Sequence, residues 1–127
     1  MRVAGYAAIF DRPDSGGDVV RKGAFADALK RAGEVPLLLQ HKGQPVGRIE
    51  HLSEDSRGLR VIARVIDDRV CQLVRCGLRG LSFGYRVRET GKSGGLRELR
   101  ELELVEVSLV AEPMQPRARV HAVESSQ

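Results

Sequence analysis

Two-residue alternation marks two stretches of this chain. Leu59, Val61, Ala63 and Val65 alternate with Arg60, Ile62, Arg64 and Ile66, and Leu81, Phe83, Tyr85 and Val87 alternate with Gly80, Ser82, Gly84 and Arg86. That period puts one apolar face on each of two β-strands. Residues 2–10 are a short apolar run with two aromatics, and they predict a further strand. Residues 35–41 predict a compact strand ending in His41, followed by a turn over 42–45 and a returning arm over 46–52. Residues 96–111 predict one long strand that Pro113 and Pro116 bring to an end.

Helical spacing appears twice. Phe25, Ala28, Leu29 and Ala32 share one face of a helix predicted over 23–33, with Gly33 as its stop. Val70, Leu73, Val74, Gly77 and Leu78 share a face of a second helix, with Asp67 or Asp68 as its cap. Residues 11–18 are dense in turn formers and predict a loop; 91–95 predict a flexible turn. From about residue 117 the chain reads as a surface strand or a frayed tail. Short strands joined by polar turns, with two helices inserted, predict a mixed, mainly β fold: a small antiparallel β-barrel or sandwich in a single domain spanning 1–127. The βαβ alternation of a doubly wound parallel sheet is absent.

Composition refines this only in places. The chain has 127 residues, enough to bury a core without covalent staples. It has no Trp, three Phe and two Tyr, so that core must be aliphatic. Basic residues outnumber acidic ones by 21 to 17, with the signs interspersed, which is weak support for a nucleic-acid partner. The scarcity of stacking aromatics disfavours that class further. Cys71 and Cys76 fit no metal or redox spacing and fall on different helix faces, so neither a disulfide nor a metal site is expected. Residues 1–6 lack the apolar run of a signal peptide, and no segment is long enough to span a bilayer, so a cytoplasmic setting is expected.

The chemistry rests on three residues. Ser82 stands between Gly80 and Gly84 on the strand face opposite the apolar one, where an extended peptide meets few neighbouring side chains. Gly80 to Gly84 also spell Gly-x-Ser-x-Gly, but the continuing strand and the order of elements do not fit the hydrolase elbow. Of the three histidines, His51 reads as a surface residue and His121 as part of the tail. His41 lies at the border of the most apolar strand and a turn. Glu106 falls by alternation on a face with Leu102, Leu104, Ser108 and Val110, and a carboxylate there needs a cationic or hydrogen-bonding partner. A serine, an imidazole and a carboxylate together can supply nucleophile, base and base-orienting group.

The motifs that carry these residues occur in a telling order. Gly-Asp-Val-Val-x-x-Gly-Ala-Phe stands at 17–25, and Leu-Leu-x-His ends at His41 with Pro45-Val46-Gly47-Arg48 behind it. Gly-Leu-Ser-Phe-Gly-Tyr at 80–85, Glu-Val-Ser-Leu-Val at 106–110 and Pro113 follow. In this respect the chain resembles the tailed-phage prohead maturation proteases, serine peptidases similar in fold to herpesvirus assemblins. The resemblance implies Ser82 as nucleophile, His41 as general base and Glu106 as third member, where assemblins use a second histidine. It implies a herpesvirus-protease-like barrel, no cofactor and no metal. Its expected partners are capsid protein and scaffolding segments as peptide substrates, cut inside assembling proheads in the host cytoplasm or in a gene-transfer particle. Because assemblins are activated by dimerisation, it also implies a homo-oligomer. Peptide is expected to lie along the Gly80-Ser82-Gly84 face, with oxyanion donors among nearby backbone amides, Arg117 or Arg119. The competing reading is a catalytically weak or inactive assembly protein that uses the same fold to bind scaffold.

Overall fold

The computed structural model describes residues 1–31 and 33–125. The strands are β1 (Arg2–Ile9), β2 (Asp18–Val20), β3 (Pro36–Leu39), β4 (Lys42–Glu54), β5 (Gly58–Val65), β6 (Gly80–Ser93), β7 (Leu96–Val110) and β8 (Val120–Glu124). Two short helices, α1 (Ala26–Arg31) and α2 (Asp68–Arg75), interrupt them. The eight strands form one sheet in the order β2-β7-β3-β4-β5-β1-β8, with β6 also paired to β7. β6 runs along nearly all of β7, so β2 and β3 share the other edge of that strand.

This architecture corrects the expected antiparallel barrel in two ways. β2 and β3 both pair parallel to β7, so the sheet is mixed. The sheet also stays open. Its end strand β6 meets the segment before β8 through a single bridge, Gly80 to Arg119, flanked by hydrogen bonds from Leu81 N to Ala118 O and from Val120 N to Arg79 O.

β5 follows its alternation, whereas in β6 Ser82 is buried and Val87 is exposed. In β5, Leu59, Val61, Ala63 and Val65 are buried, because only that face meets the core. Phe25 anchors the core between Phe10 and Phe83, with ring centroids 6.4 and 5.1 Å away. α1 is shorter than the predicted 23–33 helix. Residues 23–25 form a turn before it, where Phe25 N donates to the Glu54 carboxylate. Ala32, expected on its apolar face, lies outside the described residues. In α2 the cap is Asp67, whose side chain accepts from Val70 N. Val70, Cys71 and Val74 are buried there, while Leu73 is exposed.

β2 falls partly within the predicted loop. It is a strand because its partner stabilises it: Arg97, opposite Asp18 in the register, donates from Nε and Nη2 to the two carboxylate oxygens at 3.0 and 2.7 Å. The Arg97 hydrogen bonds hold the Asp18 carboxyl below its usual range, against the opposing effect of its partial burial. The final segment is a strand, β8, paired antiparallel to β1.

The β3–β4 connection is the correction with most bearing on function. The predicted turn over 42–45 lies inside β4. The chain turns instead at Gln40 and His41, with Leu39 paired to Lys42. Both central residues have positive φ, 54° and 62°, as in a type I′ hairpin. For non-glycine residues that conformation costs roughly 1–2 kcal/mol each. Three hydrogen bonds to β7 and its end hold it in place. Gln40 N donates to Leu109 O, His41 N donates to Ser108 Oγ, and Ala111 N donates to Gln40 Oε1.

Candidate active site

β6 and β7 carry the site on the face turned away from the core. Leu81 and Phe83 face inward opposite Leu109 and Val107, so Ser82 and Gly84 face outward opposite Ser108 and Glu106. A bulge at Val105 then changes the phase of β7: Gly84 pairs with Glu106 but Tyr85 pairs with Leu104. Leu102 and Leu104 consequently lie on the core side, not beside Glu106 as uninterrupted alternation predicts. The carboxylate has polar company instead.

That company is close. Glu106 Oε1 is 2.6 Å from His41 Nδ1, and Glu106 Oε2 accepts from Ser108 Oγ at 2.6 Å. An ionised carboxylate only accepts, so His41 donates from Nδ1, which leaves Nε2 with its lone pair available. Ser108 is fully buried and also accepts from His41 N at 3.1 Å. It therefore fixes the carboxylate with its proton and the His41 backbone with its lone pair. Nothing in the sequence reading assigned Ser108 a role, although it stands two residues from Glu106 on the same face.

Ser82 is largely buried, and its Oγ makes no hydrogen bond to any described residue, His41 included. The hydroxyl proton is therefore not committed to structure. The imidazole side chain of His41 is 41% exposed and reachable from solvent. The structure thus joins His41 to Glu106 directly and sets Ser82 on the same sheet face, one strand pair from Glu106.

The lane expected to be bare is partly filled. A Cβ at Gly84 would overlap Glu106 Oε1 and lie 2.9 Å from its Cδ, so this glycine makes the space in which the carboxylate lies. A Cβ at Gly80 would meet Pro113 Cδ at 2.9 Å and the Val110 side chain at 3.1 Å. Gly84→Ala should displace the carboxylate from His41 while leaving the fold intact, because the obstacle is the end of a flexible side chain. Any catalysis that relies on the His41–Glu106 contact is expected to fall on the order of a hundredfold, with the thermal midpoint nearly unchanged; steady-state kinetics beside a melting curve check it.

The other histidines lie apart from this cluster. His51 Nε2 is 2.8 Å from Ser53 Oγ on the surface of β4. His121 sits on β8 beside Tyr6, ring centroids 6.0 Å apart. Both cysteines are free thiols, Cys71 buried and Cys76 exposed. Among the described residues no group of three or more potential metal ligands is found, and no helix is long and apolar enough to cross a membrane.

Residues 1–127 match the family described as Caudovirus prohead serine protease. The chain belongs to that family. It is 33% identical over 92 residues to the prohead protease of Enterobacteria phage HK97, a match covering 65% of this chain and 41% of that protein. The chain thus spans well under half the length of that relative. Its fold is similar to that of the bacteriophage T4 capsid assembly protease, with a TM-score of 0.69 at 17% identity over 88% of this chain and 82% of the other. It is also similar to a KSHV protease solved with a hexapeptide phosphonate inhibitor, with a TM-score of 0.61 at 15% identity over 90% of this chain and 60% of the other. The varicella-zoster virus protease gives 0.52 at 18% identity over 84% and 62%.

Proposed function

We propose that this chain is a serine endopeptidase that cleaves scaffolding segments or capsid-protein extensions during prohead assembly. The observation that carries the reading is the Ser108–Glu106–His41 chain of hydrogen bonds on the Ser82 face. In this reading Ser82 Oγ attacks the scissile carbonyl carbon and passes its proton to His41 Nε2. The tetrahedral intermediate collapses to an acyl-enzyme as His41 protonates the departing amine, and water then repeats the sequence to release the acid. Glu106 fixes the tautomer of His41 and stabilises the imidazolium that forms. Ser108 orders Glu106 in turn.

Of the two arginines considered as oxyanion donors, position favours Arg119. It stands opposite Gly80 across the sheet's closing bridge, on the face that carries Ser82. Ser82 and His41 are not hydrogen-bonded without substrate, and such contacts commonly tighten only once substrate is seated. The KSHV protease of similar fold was solved with a hexapeptide phosphonate inhibitor; electrophilic phosphorus suits a serine hydroxyl, and in this reading the same class of reagent suits this chain.

A fluorophosphonate should label Ser82 covalently and fail to label the His41→Ala variant, as read by intact mass and peptide mapping. Absence of labelling in assembled particles, with the fold intact, would overturn the reading in favour of a scaffold-binding protein of the same fold.

A further inference from the structure

Beside the Ser82 face lies an open groove of about 770 Å³ whose lining is basic. Arg12, Lys22, Arg57, Arg117 and Arg119 contribute to it from four separate segments of the chain. None of the five forms an ion pair among the described residues. Several arginines elsewhere are paired: Arg2 and Arg64 with Glu50, Arg21 and Arg100 with Glu98, Arg97 with Asp18. The groove's one lining carboxylate, Asp11, is already engaged by Arg21 at 3.1 Å. The groove therefore gathers five cations that no ion pair neutralises among the described residues. Uncompensated cations held around one concavity repel each other, and a multiply charged anion relieves that repulsion.

The groove connects to the candidate active site. Arg119 lines it and also lines the neighbouring recess with Gly80 and Pro113. Gly80 lies two residues, or about 7 Å of strand, from Ser82. Along the groove floor the backbone donors are satisfied. Tyr6 N donates to Arg119 O, Phe10 N to Arg57 O, and Ile9 N to the side-chain oxygen of buried Gln115. Recognition there falls to the charged side chains, with no strand pairing available at those positions.

We infer that this groove is a docking site for an acidic, extended polypeptide segment, which it holds while a neighbouring part of the same chain reaches Ser82. The partner's identity as polypeptide rests on the peptidase reading of Ser82; the preference for negative charge rests on the groove alone. Cations spread over four segments suit several carboxylates at intervals better than one compact anion. Nucleic acid fits less well, because the groove's aromatic face is taken: Arg57 lies 5.5 Å above the Tyr6 ring, and His121 flanks it.

The test uses the full chain carrying Ser82→Ala and a fluorescein-labelled peptide rich in Glu and Asp, with a neutral peptide of equal length and a short DNA duplex as comparisons. Anisotropy should show binding of the acidic peptide over the other two, weakening as salt rises. Adding Arg12→Glu and Arg57→Glu should weaken it about tenfold. In the chain that retains Ser82, the same two changes should leave cleavage of a short neutral peptide unchanged while lowering kcat/KM for an acidic-flanked one. Equal affinity for the neutral peptide, indifference to the charge reversals, or tighter binding of the duplex would overturn the inference. Failure of the peptidase reading would show separately, as no cleavage of either peptide with acidic-peptide binding intact.

Discussion

Ser82→Ala should lower turnover on the order of a million-fold, as removal of the nucleophile does when a triad acts as a unit. The hydroxyl makes no hydrogen bond to a described residue, so its loss leaves no partner unsatisfied. Alanine fits the same strand position between Gly80 and Gly84. The variant should therefore melt within about 1 kcal/mol of the parent, which separates loss of chemistry from loss of fold. The check is cleavage of a scaffold or capsid-protein substrate, together with self-cleavage, at equal folded concentration. Persistent cleavage by the alanine variant would remove Ser82 from the mechanism.

Glu106→Gln should reduce turnover about ten-thousandfold, the size of effect seen when a base-orienting carboxylate becomes an amide. The carboxylate accepts at both oxygens, from His41 Nδ1 and from Ser108 Oγ. Glutamine offers one acceptor and one donor. If its amide faces His41, the ring must take the other tautomer and place a proton on Nε2, where the base needs a lone pair. If its amide faces Ser108 instead, the tautomer survives but the charge that stabilises the imidazolium is gone. Both arrangements slow proton transfer and leave the fold in place. His121→Ala, on β8 and packed against Tyr6, should change turnover little. A severe loss in His121→Ala with an active Glu106→Gln would point to a second histidine in place of the carboxylate. Kinetics on both variants, with circular dichroism to confirm folding, distinguishes the outcomes.

The residues of the candidate site were legible in the sequence largely because they come with chemistry attached. A serine isolated between glycines, a histidine at a core boundary and a carboxylate with apolar neighbours in the alternation pattern each call for an explanation, and the ordered motifs around them narrowed it. Glu106 has the hydrogen-bonding partners that a carboxylate at this position calls for, but not the neighbours that alternation predicts. The Val105 bulge moves Leu102 and Leu104 to the core side, and a single extra residue in a strand leaves no mark on an apolar pattern. The turn at Gln40 and His41 was equally hidden. Gly43 and Pro45 are the stronger local turn formers, and the chain turns earlier because β7 supplies hydrogen bonds that only the assembled sheet can offer.

Alternation and spacing were enough to specify that the chain is mainly β, that α2 is capped by an aspartate and that β5 buries every second residue, because these depend on neighbours in the chain. The parallel pairing of β2 and β3 with β7, the open sheet and the convergence of unpaired cations on one groove depend on partners tens of residues away. The hairpin at His41 is the sharpest case. Its left-handed backbone is unfavourable in isolation, and long-range hydrogen bonds from β7 decide both where the chain turns and where the imidazole meets its carboxylate.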